Sequence, residues 1–147
     1  MYKRILVPVD GSDTSNTALT TALQLARESG GSVRLLHALD ELAYLPGFEF
    51  RGNVIEIARD NAAKVLAGGV ELAKAAGIPA DTRLIEAPGR RFGEVVADEA
   101  SAFQADLIVV GTHGRRGLSR VLLGSGAEQV NRMAPVPVLT VRGTTKD

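Results

Sequence analysis

The chain has no cysteine and no tryptophan, and aromatic residues make up only 4% of it. The missing cysteine excludes disulfides, thiolate metal sites and a cysteine nucleophile, and it fits a reducing compartment. Neither charge sign prevails, with 17 Lys+Arg against 17 Asp+Glu. A chain-wide basic face for nucleic acid or an anionic membrane is therefore not expected. Long apolar runs are scarce too. Met1-Tyr2-Lys3-Arg4 leads straight into the short stretch Ile5 to Val9, which can form neither a signal-peptide core nor a membrane span. The expected location is the cytoplasm. His37 and His113 show no metal-ligand spacing and leave no case for zinc.

Familiar nucleotide and hydrolase signatures are missing as well. A Walker loop needs G-x4-G-K-[ST], and no lysine follows the glycines between positions 111 and 126. The G-x-S-x-G elbow of α/β-hydrolases does not occur. A phosphorylated receiver domain would end its third strand on aspartate, where this chain has Ile85-Glu86-Ala87. A dinucleotide fingerprint would follow the first strand, where only Asp10-Gly11-Ser12 stands.

What is present is a regular alternation of strand and helix signals. Ile5 to Val9 is uniformly apolar, as in a central parallel strand, and Asp10-Gly11-Ser12 turns it into a helix with Ser12 or Asp13 as cap. Ala18, Leu19, Ala22, Leu23, Leu25 and Ala26 recur at helical spacing until Gly30-Gly31. Val33 to Leu39 forms a second strand, and Asp40 to Gly52, without clear periodicity, reads as a loop or lid. From Ile55, the residues Ala58, Ala62, Val65, Gly69, Leu72 and Ala76 make one face of a long helix ended by Gly77 and Pro79. Gly68-Gly69 within it predicts a close approach to another backbone. Thr82 to Ile85 is a more polar strand, hence an edge. Phe92, Val95, Val96, Ala100 and Phe103 mark a third helix, Leu107 to Val110 a fourth strand, and Val136 to Val141 the last. Five strands alternating with four helices predict an α/β fold: one domain over 1–147, a doubly wound parallel sheet with helices on both faces. The strands at Ile5 and Leu107, the most apolar, are predicted to be central neighbours.

After the Leu107 strand comes Gly111-Thr112-His113-Gly114, and then Gly124-Ser125. Ser125-Gly126-Ala127-Glu128 matches the S-x-x-E capping box, so Ser125 is expected to cap a helix that runs to about Ala134 and stops at Pro135. Glycines at 111, 114, 117, 124 and 126 let the backbone approach a ligand, and the helix N-terminus favours an anion. The stretch reads as a phosphate cradle, with the Ser125 hydroxyl able to donate to a phosphate oxygen. Arg115, Arg116 and Arg120 lie inside it, and either bond phosphates or stand solvated. His113, between the first two glycines, either touches a phosphate or, the preferred reading, is a surface histidine, and His37 reads as a satisfied core histidine and not a ligand.

The spacing G-x2-G-x9-G-S from Gly111 to Ser125 resembles the nucleotide-binding motif of the ATP-binding branch of the universal stress protein family. Ile5-Leu6-Val7-Pro8-Val9-Asp10-Gly11-Ser12, Ala105 to Gly111 and Ala134-Pro135-Val136-Pro137-Val138-Leu139 resemble the same family, so nearly the whole chain is covered. The resemblance implies strand order 3-2-1-4-5 and a site where the winding reverses between strands 1 and 4. It implies ATP with Mg²⁺ as ligand, Pro8, Val9 and Ala38 around the adenine, and Asp10 near the ribose or the cation. The alternative for Asp10 is to cap the turn it begins. Gly111, Gly114, Arg115, Arg116, Gly117, Gly124, Ser125 and Gly126 fall to the phosphate side. Ala38 is smaller than the valine usual in the family, Gly126 stands where a β-branched residue is usual, and Val136 replaces a common cysteine. Antiparallel pairing of two Val136–Val141 strands in a homodimer is implied as well, and it suits an edge without charge before Arg142.

Three functions compete on these residues. The first is a regulator whose nucleotide occupancy changes a surface for a protein partner, which requires no catalytic residue. The second is a slow ATPase or self-phosphorylating phosphotransferase, for which no convincing base is present. The third is an interaction module without nucleotide, against which the intact glycine motif argues.

Overall fold

The computed structural model describes residues 2–39, 51–86, 89–112 and 125–142, with side chains described from residue 55 in the second helix and from 126 in the last. The order of elements is β1 (Arg4–Pro8), α1 (Asp13–Ser29), β2 (Ser32–Leu39), α2 (Arg51–Ala76), β3 (Ala80–Glu86), α3 (Phe92–Phe103), β4 (Leu107–Gly111), α4 (Ser125–Met133) and β5 (Val138–Val141). All pairings are parallel and the sheet order is β3-β2-β1-β4-β5, as expected.

Alternation along each strand explains the continuous apolar runs. Ile5, Val7, Val33, Leu35, Leu107 and Val109 pack on one sheet face with Leu19 and Leu23 of α1 and Leu66 and Ala73 of α2. Leu6, Leu36, Ile108 and Val110 pack on the other, with Val96, Ala100 and Phe103 of α3 and Ala127 and Val130 of α4. A strand covered on both sides has no position to spare for a polar residue. At the start of β1 the Asp106 carboxylate accepts the Lys3 N–H at 2.9 Å and the Arg4 N–H at 3.1 Å, which stitches that end of the sheet shut.

Of the two cap candidates for α1, Ser12 is the cap: its Oγ accepts the Ser15 N–H at 3.1 Å. The helix ends at Gly30, whose φ of 68° suits a residue without Cβ. In α2 the buried face is Ala58, Ala62, Leu66, Gly69 and Ala73, and Leu72 is 43% exposed. The expected stripe through Val65 and Leu72 shares Ala58, Ala62 and Gly69 with the real one. Adjacent stripes of a 3.6-residue period cannot be told apart when both carry apolar residues. A Cβ on Gly69 would lie 2.9 Å from Leu35 Cδ1 and 3.3 Å from Leu19 Cδ2. The glycine thus seats the helix on two leucine side chains, not on another backbone.

The strand β5 starts two residues later than expected. Pro135 and Pro137 flank Val136 and have no N–H to offer a ladder. The chain already lies beside β4 there, because the Pro137 carbonyl accepts the Ile108 N–H at 3.0 Å. The expected loop from Asp40 to Gly52 falls outside the described residues up to 50, and residues 51 and 52 are already helical. Among the described residues no helix is long and apolar enough to cross a membrane.

Candidate functional site

The helices that follow neighbouring strands β1 and β4 in sequence, α1 and α4, pack on opposite faces of the sheet. A crevice opens where they part. It is lined by Pro8, Val9, Asp10, Ala38 and Gly111, all expected from the sequence, and by Ser15, His37, Phe92 and Val110.

The backbone turn at its floor is fixed by short bonds. The Val9 N–H still donates to Leu36 O at 2.8 Å, but the Asp10 N–H donates to Ser15 Oγ at 3.1 Å and the chain swings into α1. Asp10 Oδ1 accepts the Ser12 N–H at 2.9 Å. Asp10 therefore does cap its turn, and the same bond holds its carboxylate at the crevice. Gly11, with φ 85°, makes the turn possible. His37 lies with Nδ1 at 2.8 Å from Val9 O. A carbonyl only accepts, so Nδ1 carries the hydrogen. The histidine is satisfied, as expected, but it is half-buried at the crevice it lines and not in the core.

On the β4 side, a Cβ on Gly111 would stand 2.6 Å from Thr14 Cγ2 and 3.2 Å from Thr14 O. This glycine is needed for β4 to end against the first turn of α1, whatever ligand approaches it. Gly126 backs onto the Phe92 ring, where an added Cβ would meet Cδ2 at 3.2 Å. The helix α4 includes Ser125 as its first residue and stops at Met133. The capping bond expected of Ser125 lies outside the described residues. Gly114, Arg115, Arg116, Gly117 and Gly124, with His113, Arg120 and the Ser125 side chain, lie outside the described residues.

Sequence reasoning missed Ser15, Phe92 and Val110 as crevice residues. Phe92 was legible only as part of a helix face. Its place at the first turn of α3, directly after Gly89-Arg90-Arg91, is the signal that it stands at the strands' C-terminal end. Among the described residues no group of three or more His, Asp or Glu side chains could hold a metal ion. A lone carboxylate such as Asp10 fits Mg²⁺ only where phosphate oxygens and waters complete the shell.

The model of the universal stress protein family matches residues 1–142. The chain belongs to that family. A universal stress protein of Methanocaldococcus jannaschii, MJ0531, is 34% identical over 100% of this chain and 86% of its own length. Among solved structures, the hypothetical protein MJ0577 superposes with a TM-score of 0.85 at 27% identity, covering 99% of both chains. The universal stress protein from Archaeoglobus fulgidus in complex with dAMP gives 0.70 at 26% identity, over 95% of this chain and 98% of its own. A universal stress protein in complex with cAMP gives 0.68 at 27% identity, over 97% and 98%. Both ligands pair adenine with a phosphate.

Proposed function

We propose that residues 1–147 form one nucleotide-binding domain that holds ATP, carrying its own Mg²⁺, and that occupancy alters a surface read by a protein partner in the cytoplasm. The observation that carries this reading is the meeting of Val9, Asp10 and Ala38 with Gly111 in the crevice between β1 and β4. The solved relatives with dAMP and cAMP support adenine and phosphate as the ligand's two ends. Pro8, Val9 and Ala38 would enclose the base, and Asp10 would face the ribose or the cation. The backbone from Gly111 through Gly114, Gly117, Gly124, Ser125 and Gly126 would follow the phosphates, with Arg115 and Arg116 offsetting their charge. Bound Mg²⁺ would neutralise phosphate charge and leave Asp10 a single contact to it. Any turnover is slow on this reading, since none of the described lining residues is placed to activate water.

Calorimetry with ATP and Mg²⁺ tests it. The wild type is expected to bind, and Gly114→Val and Gly124→Val to bind not at all, because a branched side chain would fill the space of the phosphates. Wild-type affinity in both variants would remove the glycine cradle from the site.

A further inference from the structure

The rungs between β1 and β2 stop one step earlier than the two strands allow. In β2 the Ser32 N–H donates to Lys3 O on the β1 side, and the Val33 N–H donates to Pro79 O on the β3 side. Strand alternation then turns the N–H and C=O of each even-numbered residue toward β1, as the Val9 N–H to Leu36 O bond confirms. The next rung would run from the Ala38 N–H to Val9 O. No such bond is formed: Val9 O is held by His37 Nδ1–H at 2.8 Å. Ala38 thus points a donor and an acceptor past the end of β1 into the crevice it lines.

We propose that His37 is a positioning residue for base choice: by holding the Val9 carbonyl it keeps the Ala38 edge open to a purine. This rests on the nucleotide reading above. The edge presents an N–H beside a C=O. Adenine offers the complement, an acceptor at N1 beside a donor amino group at N6. Guanine offers a donor at N1 and an acceptor at O6, so each group would face its like. A buried polar group left unpaired costs more than a pair gains, which is why such an edge discriminates. The brace survives protonation, because Nδ1 carries a hydrogen in both forms of the ring. Without the imidazole, Val9 O is released to take the Ala38 N–H and complete the ladder.

The test is calorimetry with ATP and with GTP on the wild type, His37→Phe and His37→Asn. His37→Phe keeps a planar ring without a donor, and it is expected to lose roughly tenfold in ATP affinity with little change for GTP. His37→Asn, whose Nδ2 reaches the position of Nδ1, is expected to restore the preference. A general weakening of the fold would lower both affinities together and leave their ratio intact. A wild-type ratio in a folded His37→Phe overturns the inference while the nucleotide reading stands. A wild type that binds neither nucleotide overturns both. Should His37→Phe not fold, the wild-type Ala38 amide resonance decides: it is expected to move with ATP and not with GTP, and equal movement refutes the proposal.

Discussion

At the scale of single residues, two sites have definite consequences. Gly111→Ala would force a Cβ against Thr14, whose Cγ2 is the nearest atom at 2.6 Å. Overpacking of this kind costs about 1–3 kcal/mol, to be read by urea unfolding. Thr14→Ser removes that methyl and is expected to restore part of the loss, and no recovery in the double variant would mean that the Thr14 backbone is the true obstacle. The second site is Asp81. Both its oxygens accept from Arg34, at 2.9 Å each, and this bonding holds the carboxyl below its usual range. Arg34 also donates to the buried Glu99 at 2.8 Å. A carboxyl with a lowered folded pKa stabilises at pH above the ordinary aspartate value, and that contribution is lost as pH falls through the folded value. Asp81 is half exposed, so Asp81→Asn is expected to cost no more than about 1 kcal/mol near neutrality and nothing once both pKa values lie well above the pH. An equal cost of the variant at pH 7 and in strong acid would assign the effect to packing. The crevice itself was legible in part at this scale. Asp10 and Gly111 could be named from motifs, and Pro8, Val9 and Ala38 from the family resemblance, whereas Phe92 was signalled only by its place after Gly89-Arg90-Arg91 and Ser15 enters by accepting the Asp10 N–H.

At the scale of elements, strand identity and sheet order were readable because two-sided burial leaves a plain signature in Ile5–Val9 and Leu107–Val110. The seam of α2 was not, since alanines and valines on neighbouring stripes carry equal apolar signal and only Leu35 and Leu19 across the interface select one. The start of β5 was not, because hydropathy ignores that Pro137 lacks a donor. That strand is also the outermost of the sheet on its side, and its Leu139 is 38% exposed. An apolar outer strand is a template for a second chain, and a two-fold pairing of β5 with β5 would close on itself. We therefore expect a dimer in sedimentation at micromolar concentration. Leu139→Lys is the cleaner disruption, because Val138 packs partly into the core with α4. A wild-type monomer, or a lysine variant that remains fully dimeric, would place the interface elsewhere or nowhere.

At the scale of the whole molecule, the position of β1 in the sheet makes order of synthesis matter. This strand is the first to be made, yet it lies in the middle and takes β4 as its second neighbour. Between its last residue, Pro8, and the first of β4, Leu107, a ribosome adding about 5–20 residues per second needs roughly 5–20 s. Through that interval β1, α1, β2, α2 and β3 can assemble into a half-sheet, but one long side of Ile5, Leu6 and Val7 has no partner, and Leu6 and Leu36 lack α3 above them. The nascent protein therefore passes through a stage whose most apolar strand is an open edge. A chain truncated after Glu86 would freeze that stage, and it is expected to aggregate or to be retained by chaperones, whereas a chain carried through Val141 is not. A truncated form that stays monomeric and clear at micromolar concentration would show that the N-terminal half shields its own edge while it waits.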